Sequence, residues 1–247
     1  MYRWMSPIVD PVKVAVGIKS YIRFLRDWAT YSRLDNDEKT RFIDTYPCLF
    51  DKTAVTKFDR HYFYQDIWAF RKIYESKSPS HVDVGSRIDF VGFLTTVTDV
   101  TFIDIRPLEV NLPNFKSISG NVLSMPYPDS AVQSLSCLHV AEHVGLGRYG
   151  DSLDPAGTQK ACKELSRILA KGGDLFFSLP VGKPRVCFNA HRIHTVDCIL
   201  DYFSELKLFA LDGIDDAGRY YPAISKERLN ECDYGCGLFW FKKLHSG

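Results

Sequence analysis

Two short segments of the sequence carry side chains that could hold a nucleoside. Residues 81–84 have the apolar pattern of a short strand, and the chain then turns at Gly85 and Ser86. Asp104 ends a second apolar segment, 21 residues after Asp83. A glycine turn lets backbone amides approach a ligand, and an acidic residue about 20 positions further on accepts hydrogen bonds from ribose hydroxyls. The spacing therefore predicts a nucleoside site.

Residues 139–143, His-Val-Ala-Glu-His, hold three more side chains that could do chemistry. The H-x-x-E-H spacing is also the inverted zinc-peptidase signature, in which His139 and His143 would bind zinc from one helix face and Glu142 would act as the base. That interpretation requires a helix in a peptidase fold, whereas this segment directly follows a predicted strand. Zinc-peptidase activity is therefore the less favoured alternative, and structural packing of either histidine is another.

The elements that must position these side chains alternate between strands and helices from residue 81 onwards. This alternation predicts an α/β fold with a Rossmann-like, doubly wound and mostly parallel sheet of about seven strands. In such a sheet, ligands bind beyond the carboxyl ends of the strands. The predicted strands are residues 81–84, 100–104, 115–119, 133–138, 174–180, 206–214 and 236–244.

Two longer helices are predicted within the α/β region. The first begins at the N-cap Asp154 and ends at the glycine pair 172–173, and the second covers residues 194–203. Helical patterns over residues 12–31 and 59–75 precede the sheet. We therefore expect a helical extension or lid over residues 1–78 and an α/β domain over 79–247. The first helix is expected to pack on that domain, with a lid or a membrane-surface helix as alternatives.

The composition excludes several functional classes. The 247 residues include 31 Lys plus Arg and 30 Asp plus Glu, so the formal net charge is +1 and the basic excess of a nucleic-acid binder is missing. No run of about 18 apolar residues predicts a membrane-spanning helix. The first residues also lack the pattern of a signal peptide. We expect a cytoplasmic protein with no nucleic-acid partner and no membrane span.

Seven cysteines are scattered through the chain, and this odd number does not favour a disulfide framework. A reducing compartment is the natural setting for such a chain. Cys232 and Cys236 form a C-x3-C pair, but a zinc site would need two more ligands at metal-site spacing. The sequence therefore predicts no metal.

Three segments, residues 120–129, 134–144 and 163–182, carry further motifs. Their order resembles class I S-adenosyl-methionine-dependent methyltransferases, in the branch with D-x-x-x-L-P-F-P-D, H-V-x-E-H and E-x-x-R-x-L-K-x-G-G segments. The resemblance spans about residues 81–182, with a weaker similarity over 188–203. It extends to a subfamily labelled only as a domain of unknown function.

The resemblance implies S-adenosyl-methionine as the cofactor and suggests its contacts residue by residue. Asp83 and Gly85 match the first-strand motif, and Asp104 matches the ribose-binding acid. Asn121 replaces the usual Asp that accepts from the adenine amino group, which an amide carbonyl can also do. The implied cofactor-binding residues are Asp83, Gly85, Ser86, Arg87, Asp104, Asn121, Val122 and His139, the last of them near the methyl group.

The glycine motif of the resembled family is D-x-G-x-G-x-G, and here Arg87 and Asp89 stand at its second and third glycine positions. Glycine is used there because a Cβ would meet the cofactor or demand a costly φ. Either the loop is re-routed and Arg87 pairs with the methionine carboxylate of the cofactor, or Arg87 forms a plain ion pair with Asp89 or Asp104 and partly closes the pocket. We favour a working pocket.

The implied reaction moves the methyl group to a hydroxyl or amine of a small-molecule or sugar acceptor. Much of the catalysis would be positioning, and an alcohol would also need a general base. His143 and His191 are the candidate bases, with Glu142 orienting them or replacing them. The alternative function is a catalytically degenerate fold that binds a nucleoside or a protein. The residues expected either to face the acceptor or to be plain solvated loops are His191, Arg192, His194, Arg219, Tyr220 and Tyr221.

Overall fold

The computed structural model describes residues 11–34 and 40–244, so the expectation on the N-terminal signal pattern lies outside the described residues. The chain divides into two compact units, residues 1–58 and 59–247. This boundary precedes the second helix, whereas the sequence pattern placed it at 78/79. The physical reason is packing, because Trp68, Ala69 and Ile73 of that helix are buried in the core of the second unit.

The first unit contains helix α1 (Pro11–Tyr31) and a single 3₁₀ turn (Phe42–Asp44) among its described residues. The helix predicted over residues 12–31 is confirmed. Within the described residues, no helix is both long enough and apolar enough to cross a membrane.

The second unit is built on an eight-stranded sheet. The strands are β1 (Ser80–Val84), β2 (Asp99–Asp104), β3 (Phe115–Ser119), β4 (Val132–Leu138), β5 (Leu169–Val181), β8 (Lys207–Ile214), β9 (Tyr220–Tyr221) and β10 (Gly235–Lys242), with β6 (Arg185–Cys187) and β7 (His191–Ile193) as a separate hairpin. Their order across the sheet is β3-β2-β1-β4-β5-β10-β8-β9. The five strands from β3 to β5 are parallel, and β10 is antiparallel to both β5 and β8. The seven predicted strands are confirmed, and the eighth is the two-residue edge strand β9.

Five helices accompany the sheet in the described part of this unit, and three of them begin at a side-chain cap. Asp59, Thr195 and Ser225 each accept a hydrogen bond from a backbone N–H in the first turn, which satisfies one otherwise unpaired donor. The helices are α2 (Arg60–Ser76), α3 (Ile88–Leu94), α4 (Gly157–Ile168), α5 (Val196–Tyr202) and α6 (Lys226–Glu231).

Both predicted ends of α4 are wrong. Ala156 stands at the N-cap position, and Asp154 instead accepts from the Ala156 N–H at 2.9 Å in the preceding turn. The helix ends at Ile168, and the glycine pair lies inside β5. A Cβ at Gly173 would lie 2.9 Å from the Ala170 carbonyl oxygen, so glycine is needed there for close backbone approach and not as a helix end.

Helices cover both faces of the sheet because successive residues of its central strands point to opposite sides. Phe177 of β5 belongs to a core with Leu165 and Phe203 on one face. Phe176 belongs to a second core with Trp68 of α2 and Phe90 of α3 on the other face. The predicted α/β architecture is confirmed, and it leaves the carboxyl ends of the parallel strands free to form a site.

Candidate functional site

A cavity of about 550 Å³ lies at the carboxyl ends of β1, β2 and β3. Its volume lies within the roughly 300–1,000 Å³ range of small-molecule sites. The strand order changes direction between β1 and β4, and such a switch point is where open α/β sheets bind ligands. The cavity brings together five of the sequence-predicted cofactor residues: Gly85, Asp104, Asn121, Val122 and His139.

Gly85 lines this cavity at the turn after β1. Its φ is +64°, a left-handed conformation that side chains other than glycine adopt at a cost. A Cβ on Gly85 would lie 3.3 Å from a methyl carbon of Val140 and 3.5 Å from Asp104 Oδ2. The turn therefore needs glycine for its backbone conformation and for the close approach of Val140 and Asp104.

Asp83 stabilises this turn, and it lines neither this cavity nor the one that adjoins it. It is fully buried, and it accepts from the Ser86 backbone N–H at 3.0 Å, from Ser86 Oγ at 2.7 Å and from Ser136 Oγ. Burial raises the pKa of its carboxyl to about 6. Three donors occupy the carboxylate, so in this structure it supports the turn, and direct contact of Asp83 with a cofactor stays a prediction.

Asp104 stands at the end of β2 with a side chain that is 18% exposed. Its Oδ1 accepts from the Arg106 backbone N–H at 2.7 Å, and Oδ2 is the oxygen nearest Gly85. Asn121 Oδ1 accepts from the Leu123 N–H at 2.9 Å and retains a second lone pair. Both side chains can therefore accept hydrogen bonds from a ligand.

A second cavity of about 330 Å³ adjoins the first and shares Gly85, His139, His143 and Tyr149 with it. It contains the predicted residues Ser86, Arg87, Glu142 and His191, so both groups of sequence candidates meet at one edge of the sheet. Besides the apolar Leu138, the sequence analysis missed four polar lining residues, since nothing in their local pattern marks them. They are Tyr62 of α2, Arg148, Tyr149 and Tyr234.

Arg87 is the residue immediately before α3, and its guanidinium faces acidic and aromatic groups. It donates to Asp89 Oδ2 at 3.0 Å, lies 4.0 Å from Asp66 Oδ2, and stacks over the Tyr62 ring at 5.3 Å. Its partner is therefore Asp89, as one of the two sequence alternatives predicted, and not Asp104. The pair is exposed, so its net contribution to stability is small and the guanidinium can exchange partners at low cost.

His139 is held rigidly at the junction of the two cavities. Its φ is +55°, and its backbone N–H donates to the Ser178 carbonyl at 2.9 Å. Nδ1 contacts Gln65 Oε1, and Gln65 Oε1 also accepts from Ser178 Oγ at 2.5 Å. Burial holds the pKa of His139 well below its ordinary value, which favours the neutral ring. Its Nε2 is buried with no hydrogen-bond partner among the described residues.

Glu142, which is buried, and His143, which is partly buried, both line the second cavity. They lie in a 3₁₀ turn (Ala141–His143), so the helix that a zinc peptidase would need is not formed. His143 Nδ1 donates to the Ala190 carbonyl at 2.5 Å, which leaves Nε2 as an acceptor 3.6 Å from Glu142 Oε1. Burial raises the pKa of Glu142 to about 8 and lowers that of His143 to about 4.

The Glu142→Gln variant should lose much of the pH dependence of stability between about pH 4.5 and pH 8. Glu142 has a folded-state pKa of about 8 against an ordinary 4.5, so the folded state binds more protons in this window. The protonated carboxyl of Glu142 therefore stabilises the folded state, relative to the ionised one, fully below pH 4.5, and this stabilisation is lost as the pH rises to 8. At pH 8 we expect the variant to be more stable than wild type by at least about 1.4 kcal/mol, the equivalent of one pKa unit.

Urea unfolding at pH 5 and pH 8 measures this difference. The exposed Glu231→Gln variant is the matched control and should follow wild type at both pH values. Equal pH slopes for wild type and Glu142→Gln would show that the carboxyl is not buried as described.

The other residues expected near an acceptor have different surroundings. Arg192 donates to the backbone carbonyls of Val144 and Asp154, and so it fixes the loop that follows β4. His194 contacts Cys198 Sγ at 3.7 Å. Of that cluster only His191 reaches either of the two cavities. The side chains of the late-loop residues Arg219, Tyr220 and Tyr221 bond instead to Asp212, Asp215 and Arg228.

Comparisons with known proteins agree with this architecture. The structure of the N-methyltransferase NodS from Bradyrhizobium japonicum WM9 in complex with S-adenosyl-L-homocysteine is 13% identical, with a TM-score of 0.53 over 88% of this chain and 98% of that chain. The [4+2]-cyclase SpnF is 13% identical, with a TM-score of 0.50 over 73% of this chain and 82% of that chain. No curated protein matches the chain at a significant level.

Residues 127–203 match a family described as "Caenorhabditis protein of unknown function, DUF268". This segment runs from the end of the predicted adenine-binding loop to α5, and it includes His139, Glu142, His143 and His191. The match agrees with the resemblance to a subfamily that is labelled only as a domain of unknown function. The chain therefore has the fold of the class I S-adenosyl-methionine-dependent methyltransferases.

Proposed function

We propose that this protein is an S-adenosyl-methionine-dependent methyltransferase that acts on a hydroxyl or amine of a small molecule or glycan. The observation that carries the proposal is the 550 Å³ cavity in which Gly85, Asp104, Asn121 and Val122 meet at the switch point of the sheet. When bound there, the cofactor would supply a methyl group already activated by its sulfonium sulfur.

The residues of the cavity fit a nucleoside in their chemistry. Asp104 Oδ2 can accept from ribose hydroxyls across the space that the missing Gly85 side chain leaves open. Val122 offers an apolar surface for a base, and Asn121 Oδ1 can accept from an exocyclic amino group. These three contacts are the ones that the sequence resemblance implies.

The adjoining polar cavity would hold the acceptor. His143 Nε2 has its lone pair free to take the acceptor proton, because Nδ1–H is bound to the Ala190 carbonyl. The Glu142 carboxyl group lies 3.6 Å from that atom, and once ionised it would stabilise the imidazolium that forms. His191 lines the same cavity and is the second candidate base.

Calorimetry with S-adenosyl-methionine and S-adenosyl-homocysteine tests the cofactor proposal directly, and one molecule of either should bind per chain. Methyl transfer from labelled cofactor to a panel of hydroxyl and amine acceptors then tests the reaction. The His143→Gln variant should keep cofactor affinity and lose turnover by about 10²–10⁴-fold, the usual contribution of general base catalysis. Absence of cofactor binding by the wild-type protein would contradict the proposal.

A second candidate function is a non-catalytic binding module with the same fold. The Arg87–Asp89 ion pair, which stands where the resembled family has glycines, favours this alternative. The similarity to a [4+2]-cyclase also shows that the fold occurs in proteins named for other reactions. Tight cofactor binding with no transfer to any acceptor of the panel would support the binding module.

A further inference from the structure

Three ligand-type side chains meet below the first turn of α2, beside the cavities described above. His61 belongs to α2, His139 follows β4, and Cys236 lies on β10 next to β5. One ligand atom from each lies within 4.8 Å of the other two. Cys236 is fully buried, His139 is 8% exposed and His61 is partly exposed.

His139 is prepared as a ligand by its neighbours. Gln65 Nε2 donates to Asp66 Oδ1 at 3.1 Å, which turns the acceptor atom Oε1 towards His139 Nδ1. Since Oε1 can only accept, Nδ1 carries the proton and Nε2 presents a lone pair. That Nε2 is buried and without a hydrogen-bond partner among the described residues. Metal-bound histidines have this arrangement, with the second ring N–H donated to an oxygen that fixes the ring.

We propose that His61, His139 and Cys236 bind one zinc ion. Two imidazole nitrogens and one thiolate suit Zn²⁺, which takes tetrahedral N/S coordination. Three protein ligands leave a fourth position for water or a substrate atom. On binding, the Cys236 S–H bond breaks, its proton goes to solvent, and the sulfur electron pair forms the bond to zinc, with no change of oxidation state.

The distances agree with a metal-free arrangement of such a site. With Zn–N near 2.0 Å and Zn–S near 2.3 Å, tetrahedral ligand atoms lie roughly 3.3–3.6 Å apart. Closing from 4.8 Å therefore requires shifts of about 1 Å, within reach of side-chain rotation.

The proposal differs from the sequence expectation of no metal, and the structure gives the reason. The C-x3-C pair is not the site, because Cys232 Sγ instead contacts the Arg228 carbonyl at 3.4 Å. The third ligand after His139 and Cys236 is His61, and the three come from elements far apart in the sequence. No local spacing could indicate them together.

Metal titration of the full chain tests this proposal independently of methyl transfer. After chelator treatment, the wild-type protein should bind one equivalent of Zn²⁺, and Co²⁺ in its place should show thiolate-to-cobalt charge-transfer absorption. Cys236→Ser should abolish that absorption and weaken Zn²⁺ binding at least tenfold. His61→Ala, in the less buried first turn of α2, should weaken binding similarly. Cys232→Ser is the matched control and should retain both properties.

Circular dichroism and S-adenosyl-homocysteine affinity of each variant, measured without metal, establish that the fold and the nucleoside site persist. Loss of metal with retained S-adenosyl-homocysteine binding would support the zinc site, and this result is separable from any failure of the proposed methyl transfer. A wild-type protein that binds no stoichiometric Zn²⁺ would overturn the proposal. A Cys236→Ser variant that keeps the charge-transfer absorption would overturn it as well.

Discussion

The Arg87→Gly variant should bind S-adenosyl-homocysteine about 10- to 150-fold more weakly than wild type, the equivalent of about 1.5–3 kcal/mol for a hydrogen bond to a charged group. Arg87 lines the polar cavity next to Ser86, and its present partner Asp89 is exposed. A planar guanidinium can hold a ligand carboxylate with two parallel hydrogen bonds. We therefore propose that Arg87 leaves Asp89 to bind the methionine carboxylate of the cofactor.

Calorimetry of wild type, Arg87→Gly and Asp89→Asn distinguishes an Arg87 that binds the cofactor carboxylate from an Arg87 that blocks the pocket. Asp89→Asn removes the competing charge and should leave the affinity unchanged or raise it. If Arg87 instead blocks the pocket, Arg87→Gly restores the glycine of the resembled family and should bind more tightly than wild type. A higher S-adenosyl-homocysteine affinity of Arg87→Gly would rule out the proposed binding of the carboxylate by Arg87 and would favour the binding-module alternative.

The Asp104→Ala variant should bind S-adenosyl-homocysteine at least tenfold more weakly than wild type, or about 1.4 kcal/mol. Asp104 Oδ2 faces the space left by Gly85, where it can accept from both ribose hydroxyls. The side chain is partly exposed at a strand end, so folding should be nearly unaffected.

Asp99→Ala is the matched control for this measurement. Asp99 is an exposed carboxylate at the opposite end of the same strand, so its removal should change neither affinity nor fold. Unchanged affinity of Asp104→Ala, measured by calorimetry beside this control, would mean that the nucleoside site lies elsewhere.

The amino-acid pattern was enough to predict the sheet and most of the residues that line the first cavity. Its apolar segments are short, they alternate with helices, and a glycine turn and an acidic strand end follow them at fixed spacing. Local patterns suffice there because parallel strands place their carboxyl ends at one edge whatever the details of packing. Gly85, Asp104, Asn121 and Val122 accordingly line one cavity in the structure.

Local sequence patterns do not show close contacts between backbone segments or between buried side chains. The glycine pair after α4 resembles a helix end, yet it lies in β5. Glycine is needed at position 173 because the backbone of β4 and of its own strand leaves no room for a Cβ. Asp83 has the motif of a cofactor-binding residue, and its buried carboxylate also accepts hydrogen bonds from Ser86 and Ser136, a supporting contact that the motif does not indicate.

The side chains that share the polar cavity are brought together by the packing of helices and strands from distant parts of the chain. α2 brings Tyr62 and Gln65 over the strand ends, and β10 brings Cys236 beside His139. Contacts between elements separated by tens of residues depend on how helices pack on the sheet, and no periodicity or spacing in the chain records them. The same packing buries Glu142 and partly buries His143, and this burial raises the pKa of the first and lowers that of the second.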